Sequence, residues 1–244
     1  MARIELRNTK VYIEDGFAGT ALVNNAANYV AADVTMLIDS QVTNSVPSTV
    51  VPVGARFVIG AVTHTVTAKL PADNTGPTTS ITFSPPLAGA VADNDEITFI
   101  SQRLEIKIGE GDISWTEARE FIYDLDRDKL DTVRQGADQP VSAEMSFTYE
   151  WVKSQSGQPM TPVEALKGIG PASQWVSSSA DLCEPYAVNI RVRHCPPCGG
   201  AQDEDVVFPD FRWESLDFSL ADASISVSGQ CNVTEVESAR ADLC

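Results

Sequence analysis

Apolar and polar side chains alternate so regularly between Arg103 and Trp151 that the elements there follow from the pattern alone. Leu104, Ile106 and Ile108 share one parity; Arg103, Glu105 and Lys107 share the other. Successive side chains of a strand point to opposite faces, so this segment is a strand with one buried face. Gly109-Glu110-Gly111 interrupts it with a turn. A second strand sets Phe121, Tyr123 and Leu125 on one face, and a charged loop, Asp126-Arg127-Asp128-Lys129, follows it. The third is the clearest. Val141, Ala143, Met145, Phe147, Tyr149 and Trp151 alternate with Ser142, Glu144, Ser146, Thr148 and Glu150. That predicts an amphipathic antiparallel strand with one face on a core and one face wet.

Elsewhere the pattern is broken into shorter pieces. Residues 1–15 alternate weakly, with Ile4 and Leu6, then Val11 and Ile13, which predicts an extended arm or edge strand ended by Gly16 and Gly19. Residues 23–100 are rich in Thr, Val, Ala and Asn and carry six acidic and two basic side chains. Strand signals at Val34–Ile38, Arg56–Ile59, Thr63–Leu70, Ser80–Phe83 and Glu96–Ile100 are separated by proline and glycine, as in a small all-β module inserted into the arm. Beyond Trp151, Thr161-Pro162-Val163-Glu164 predicts a short helix. Thr161 is the N-cap, Pro162 the first helical residue and Glu164 the return half of a capping box, with Gly168 as the left-handed stop. So short a helix holds only when packed, through Val163 and Leu166. Val188, Ile190 and Val192 mark another strand, with Asn189, Arg191 and Arg193 outward. Phe211 and Trp213 share one parity but Leu216, Phe218 and Leu220 the other, so a β-bulge is expected at Glu214-Ser215. Ala221–Ser224 forms a hairpin loop, Ile225–Val233 the return strand, and the polar tail from Glu235 is expected to be loose or ordered by a partner.

Composition narrows the function. The 244 residues bear a net charge of −17, which repels nucleic acid because duplex affinity depends on neutralising phosphates with Lys and Arg. No apolar run is long enough to span a bilayer, and no signal-peptide core follows Met1, so an intracellular product is expected. The five cysteines all follow residue 180, and with that location they argue against a disulfide framework. Cys195-Pro196-Pro197-Cys198 has zinc-ligand spacing, and Cys183 or Cys231 can add a thiolate, but a lone pair of this kind is weak evidence and a plain turn is preferred. His64 is expected to face solvent. No nucleophile motif, phosphate loop or His-centred triad occurs, so no cofactor, functional metal or enzymatic activity is expected.

One resemblance adds to this. Ile106-Lys107-Ile108-Gly109-Glu110-Gly111, Thr116–Glu120, Leu130–Arg134, Gln139-Pro140-Val141, Phe208–Leu216 and Ser226–Asn232, in that order, resemble the major tail tube proteins of long-tailed (siphovirus-type) bacteriophages. The segment 23–100 lies outside the resemblance. It implies a mainly β fold: a tail-tube sandwich or flattened barrel with one short α-helix, formed by an arm at 1–22 and a domain at 101–244, with the module 23–100 inserted. It further implies homohexameric rings stacked into a hollow tube, a structural part of the virion tail assembled in the host cytoplasm. The implied partners are copies of the chain, a tape-measure protein, tail terminator and distal tail proteins, and DNA that passes without specific binding. No membrane insertion is implied. The loop Asp126, Arg127, Asp128, Lys129, Leu130 and Asp131 then becomes the contact to the next ring. Ser142, Glu144, Ser146, Thr148 and Glu150 become candidates for the lumen. The competing class is an adhesin-like or carbohydrate-binding β-sandwich module, which the Thr/Asn-rich insert would suit.

Overall fold

The computed structural model describes residues 8–24, 28–39, 51–72, 78–109, 111–153, 159–179, 181, 183–195 and 203–241. Ile4, Leu6 and Cys198 lie outside them. The fold is mainly β, and the chain forms two compact units, one of residues 1–11, 106–149 and 190–244, the other of 12–105 and 150–189.

The larger sheet runs in the order β8 (Arg103–Ile106), β1 (Thr9–Glu14), β15 (Val188–His194), β16 (Asp203–Ser219), β17 (Ser224–Gln230), β12 (Ser142–Thr148) and β9 (Ile113–Thr116), with β18 (Glu237–Ala241) also paired to β16. Two expectations are corrected here. The described part of the arm, Thr9–Glu14, is an interior strand, with Val11 to Glu14 all buried between two neighbours. The acidic run Asp203–Asp205 opens a 17-residue strand. The tail from Glu235 is ordered in part by this chain itself, since Glu237 to Ala241 pair with Val207 to Asp203.

The predicted alternation in β12 holds through Phe147, with Ala143, Met145 and Phe147 buried. It stops there. Tyr149 and Trp151, expected on the buried face, lie beyond the strand with 39% and 69% of their surface exposed. The bulge falls where the parity slip predicts, between Trp213 and Ser215 in the β16–β17 register.

The second unit holds a six-stranded sheet: β2 (Gly19–Leu22), β7 (Glu96–Ile100), β4 (Arg56–Ile59), β5 (Val62–Leu70), β6 (Ser80–Ser84) and β3 (Thr35–Leu37). It begins at Gly19, ahead of the residue-23 boundary read from composition. Its two ends meet. Val23 bridges Ile38, Asn24 N donates to Leu37 O at 3.0 Å and Asp39 N donates to Leu22 O at 2.9 Å, so the sheet closes into a small barrel. Closure removes free edges and gives the strands a common interior. That interior is aromatic: Phe57 meets Phe83 and Phe99 edge-on with ring centroids 5.2 and 5.7 Å apart. His64, expected in solvent, is buried there. Its ring stacks on Phe57 and its Nδ1–H donates to Pro85 O at 2.7 Å, which satisfies the polar edge inside an apolar core.

The same unit contains β13 (Val152–Lys153), β14 (Pro159–Met160), the helix α1 (Pro162–Lys167) and a 3₁₀ turn at Gly170–Gln174. The capping box is complete. Thr161 N donates to Glu164 Oε2 at 2.7 Å, and Glu164 N donates to Thr161 Oγ1 at 3.3 Å. Gly168 takes the left-handed conformation at φ 62°, and Leu166 is buried while Val163 is half-buried.

Candidate functional site

Two surfaces of the first unit stand out, and both come from the stretch whose pattern was clearest. The first is the wet face of four neighbouring strands. The antiparallel registers place Ser114, Glu144, Ser228 and Ser215 in one row across β9, β12, β17 and β16. Ser146, Ser226 and Asp217 form the next row, and Thr148, Ser224 and Ser219 the one after. At the other end lie Thr116, Ser142, Gln230 and Arg212. The bulge at Glu214 makes this face. Without it, Leu216 and Phe218 would take the wet parity in β16; with it, Ser215, Asp217 and Ser219 do, while Leu216 and Phe218 oppose Val227 and Ile225. A shallow hollow of about 360 Å³ runs along the face, lined by Asp112, Glu144, Asp217 and serines. Ser215 and Ser228 share a hydrogen bond of 2.8 Å.

Of the residues predicted to line this face, Ser142, Glu144, Ser146 and Thr148 are on it. Glu150 is not: β12 ends at Thr148, and Glu150 lies half-buried beyond it. Asp217 and Asp112, from other segments, supply the carboxylates that accompany Glu144. One base, Arg212, sits at the end of the face, a neighbour that the β12 sequence by itself does not show.

The second surface is a two-stranded ribbon, β10 (Arg119–Asp126) with β11 (Lys129–Asp138). The expected loop Asp126–Asp131 is corrected to a two-residue turn. Arg127 and Asp128 sit at φ 50° and 61°, Asp126 pairs with Lys129, and Leu130 and Asp131 belong to β11. Two successive positive φ values match the twist of a hairpin. Tyr123 opposes Val133 and Leu125 opposes Leu130. With Phe121 they make an apolar face whose members are 49 to 64% exposed. On the other face Arg134 Nε lies 3.3 Å from Asp124 Oδ2, and Thr132 Oγ1 donates to that oxygen at 3.4 Å. No residue of either strand is buried. At the base, Arg119 pairs with Glu235, and Val236 N donates to Glu117 Oε1 at 3.2 Å. The Arg119–Glu235 pair is well exposed, so it holds the ribbon only weakly.

Arg191 and Arg193, expected to point outward, instead converge on Asp205, whose side chain is 3% exposed. Arg193 donates to it through Nε at 2.8 Å and Nη2 at 2.7 Å, and Arg191 through Nη1 at 2.9 Å. Burial pushes the Asp205 carboxyl up, but the hydrogen bonds and charges of the two guanidiniums outweigh it and hold the group below its ordinary value.

Cys195 is disulfide-bonded, which corrects the expectation of unpaired thiols and removes it as a thiolate ligand. Cys183 is exposed and free, and Cys231 is buried and free. Burial pushes the Cys231 thiol up to about 12, helped by Asp210 and opposed by Arg212. Among the described residues, no group of three or more His, Cys, Asp or Glu is arranged to hold a metal ion, and no helix is long and apolar enough to cross a membrane.

No family model, curated protein or solved structure matches this chain.

Proposed function

We propose that this chain is a structural, self-assembling protein whose copies form rings stacked into a hollow conduit, the tail tube of a long-tailed bacteriophage virion. The ribbon carries the reading. An isolated two-stranded ribbon is marginal in water, and this one keeps Phe121, Tyr123, Leu125, Leu130 and Val133 in solvent. An assembly that covers this face turns a liability into adhesion. In this reading the ribbon, with Asp126 to Asp131 at its tip, bridges to the next ring.

The row-ordered hydroxyl and carboxylate face supports the conduit half of the proposal. It offers passing DNA no aromatic platform for its bases and a single base at one end. Glu144 and Asp217 repel phosphates within about a Debye length, roughly 8 Å at physiological salt. The chain acts as no enzyme here and needs no cofactor; its implied partners are its own copies, a tape-measure protein within, and terminator and distal tail proteins at the ends.

Negative-stain imaging of concentrated protein tests this directly. The expected result is rings and tubes for the parent chain, and rings without tubes when Phe121, Tyr123 and Leu125 are changed to Ser. Isolated particles at all concentrations, from both chains, would refute self-assembly.

A further inference from the structure

We propose that the ribbon of one copy docks on a second apolar patch of the next, formed by Tyr149, Phe218 and Leu220 at the far end of the same sheet. This deepens the tube reading and rests on it. The registers fix where the two surfaces lie. β9 ends at Thr116, which pairs with Ser142 at the start of β12, and the ribbon Arg119–Asp138 is the chain between them. It is therefore rooted at the end of the sheet marked by Thr116, Ser142, Gln230 and Arg212. It does not fold back along the strands, since neither of its faces is covered. Its eight-residue strand β10 gives it a reach of roughly 23 Å.

The patch sits at the opposite end. The β16–β17 hairpin turns between Ser219 and Ser224, level with Thr148, and Phe218 opposes Ile225 one position before the turn. Tyr149 N donates to Ala223 O at 2.7 Å, and the Tyr149 ring meets Phe218 edge-on with centroids 5.9 Å apart. Phe218 is 51% exposed and Leu220 85%. The length of β12 from Ser142 to Thr148, roughly 20 Å, separates this end from the ribbon root. Beside the patch lies a hollow of about 430 Å³, lined by Ile108, Phe147, Thr148 and Asp222 among others.

The two surfaces complement each other. Each keeps aromatic and aliphatic side chains in water, and each is covered by the other when copies meet head to tail. The charges agree as well. Asp126, Arg127, Asp128 and Lys129 at the ribbon tip sum to zero in a chain of net −17. The tip can therefore approach an acidic surface without repulsion, and Arg127 or Lys129 can pair with Asp222 at the hollow. Because donor and acceptor lie at opposite ends, one copy gives its ribbon to a second and receives that of a third. Contacts between two different surfaces repeat without closing, which is what stacking needs. A symmetric ribbon-to-ribbon contact would stop at two copies and leave Tyr149, Phe218 and Leu220 in water.

Phe218→Ser with Leu220→Ser leaves the ribbon intact and tests the acceptor alone. Negative-stain images should show rings without tubes, as for the ribbon variant with Phe121, Tyr123 and Leu125 changed to Ser. Preformed rings of the two variants, mixed, should give ring pairs and nothing longer, with twice the mass of either by sedimentation. Only one junction of such a pair keeps both a sound ribbon and a sound patch. Parental tubes from the patch variant would overturn the acceptor and leave the tube reading standing, whereas a parent chain that never assembles overturns both. Should the patch variant fail to fold, photo-crosslinking decides. With p-benzoylphenylalanine in place of Leu125, in an equimolar mixture of ¹⁴N and ¹⁵N chains, crosslinks should join the ribbon to residues 218–224 of the other isotope. Crosslinks that miss this segment, or that join ribbon to ribbon, overturn the proposal.

Discussion

Replacing Asp205 by Ala is the sharpest test of how the first unit is held. The substitution removes three charge-assisted hydrogen bonds of 2.7 to 2.9 Å and leaves two like-charged guanidiniums facing each other. Breaking a fully buried pair costs about 3–5 kcal/mol. The Arg191 and Arg193 side chains are 28% and 19% exposed, so water partly takes over the lost contacts. The lower end, about 3 kcal/mol, is the expectation, equivalent to roughly 6–12 °C in Tm for a chain of this size. Urea and thermal unfolding followed by tryptophan fluorescence measure it. The pH dependence adds a second signature. The folded chain holds the carboxyl below its ordinary value of 3.8, so the network's stabilisation is complete above that value and is lost as the pH falls through it and below. Asp205→Ala should therefore narrow the stability gap between neutral and acid pH. A loss under about 0.5 kcal/mol, the level of an ordinary surface change, would refute the argument that this ion pair is structural.

Other outcomes follow from the same geometry. Thr161→Ala removes one half of the capping box and should cost about 1 kcal/mol, read by unfolding of the unit that contains α1. Phe57→Ala empties the barrel centre and strips His64 of its stacking partner, for a loss of about 3–5 kcal/mol by the same measurement. Replacing Arg127-Asp128 by Asn-Gly fits the positive φ values of the ribbon turn better and should raise protection of the β10–β11 amides without altering the sheet. At pH 8 iodoacetamide should label Cys183 within minutes and leave Cys231 untouched until unfolding, as peptide mapping would show. Glu144→Lys with Asp217→Lys should leave tube formation intact yet slow DNA passage, with partial recovery at higher salt; passage at the parental rate would remove these side chains from the lumen.

The sequence by itself determined the elements whose signals are local. The β12 alternation as far as Phe147, the Thr161–Gly168 capping signals, the parity slip at Glu214 and five of the barrel strands need only side-chain period and cap chemistry, and each is found where the pattern puts it. The ribbon strand β11 was missed because its turn is Arg-Asp, without the Asn or Gly that usually marks two positive φ values, and because no core dictates its alternation. The tertiary structure decided everything that depends on which strands become neighbours. Registers across four strands gather Glu144, Asp217 and the serines onto one face, and closure through Val23 and Ile38 turns six strands into a barrel and takes His64 inside. Arg191 and Arg193 meet Asp205, and Asp15 meets Gln102 from 87 residues away. Such pairings join residues distant in the chain, and periodicity carries no information about a partner that distant.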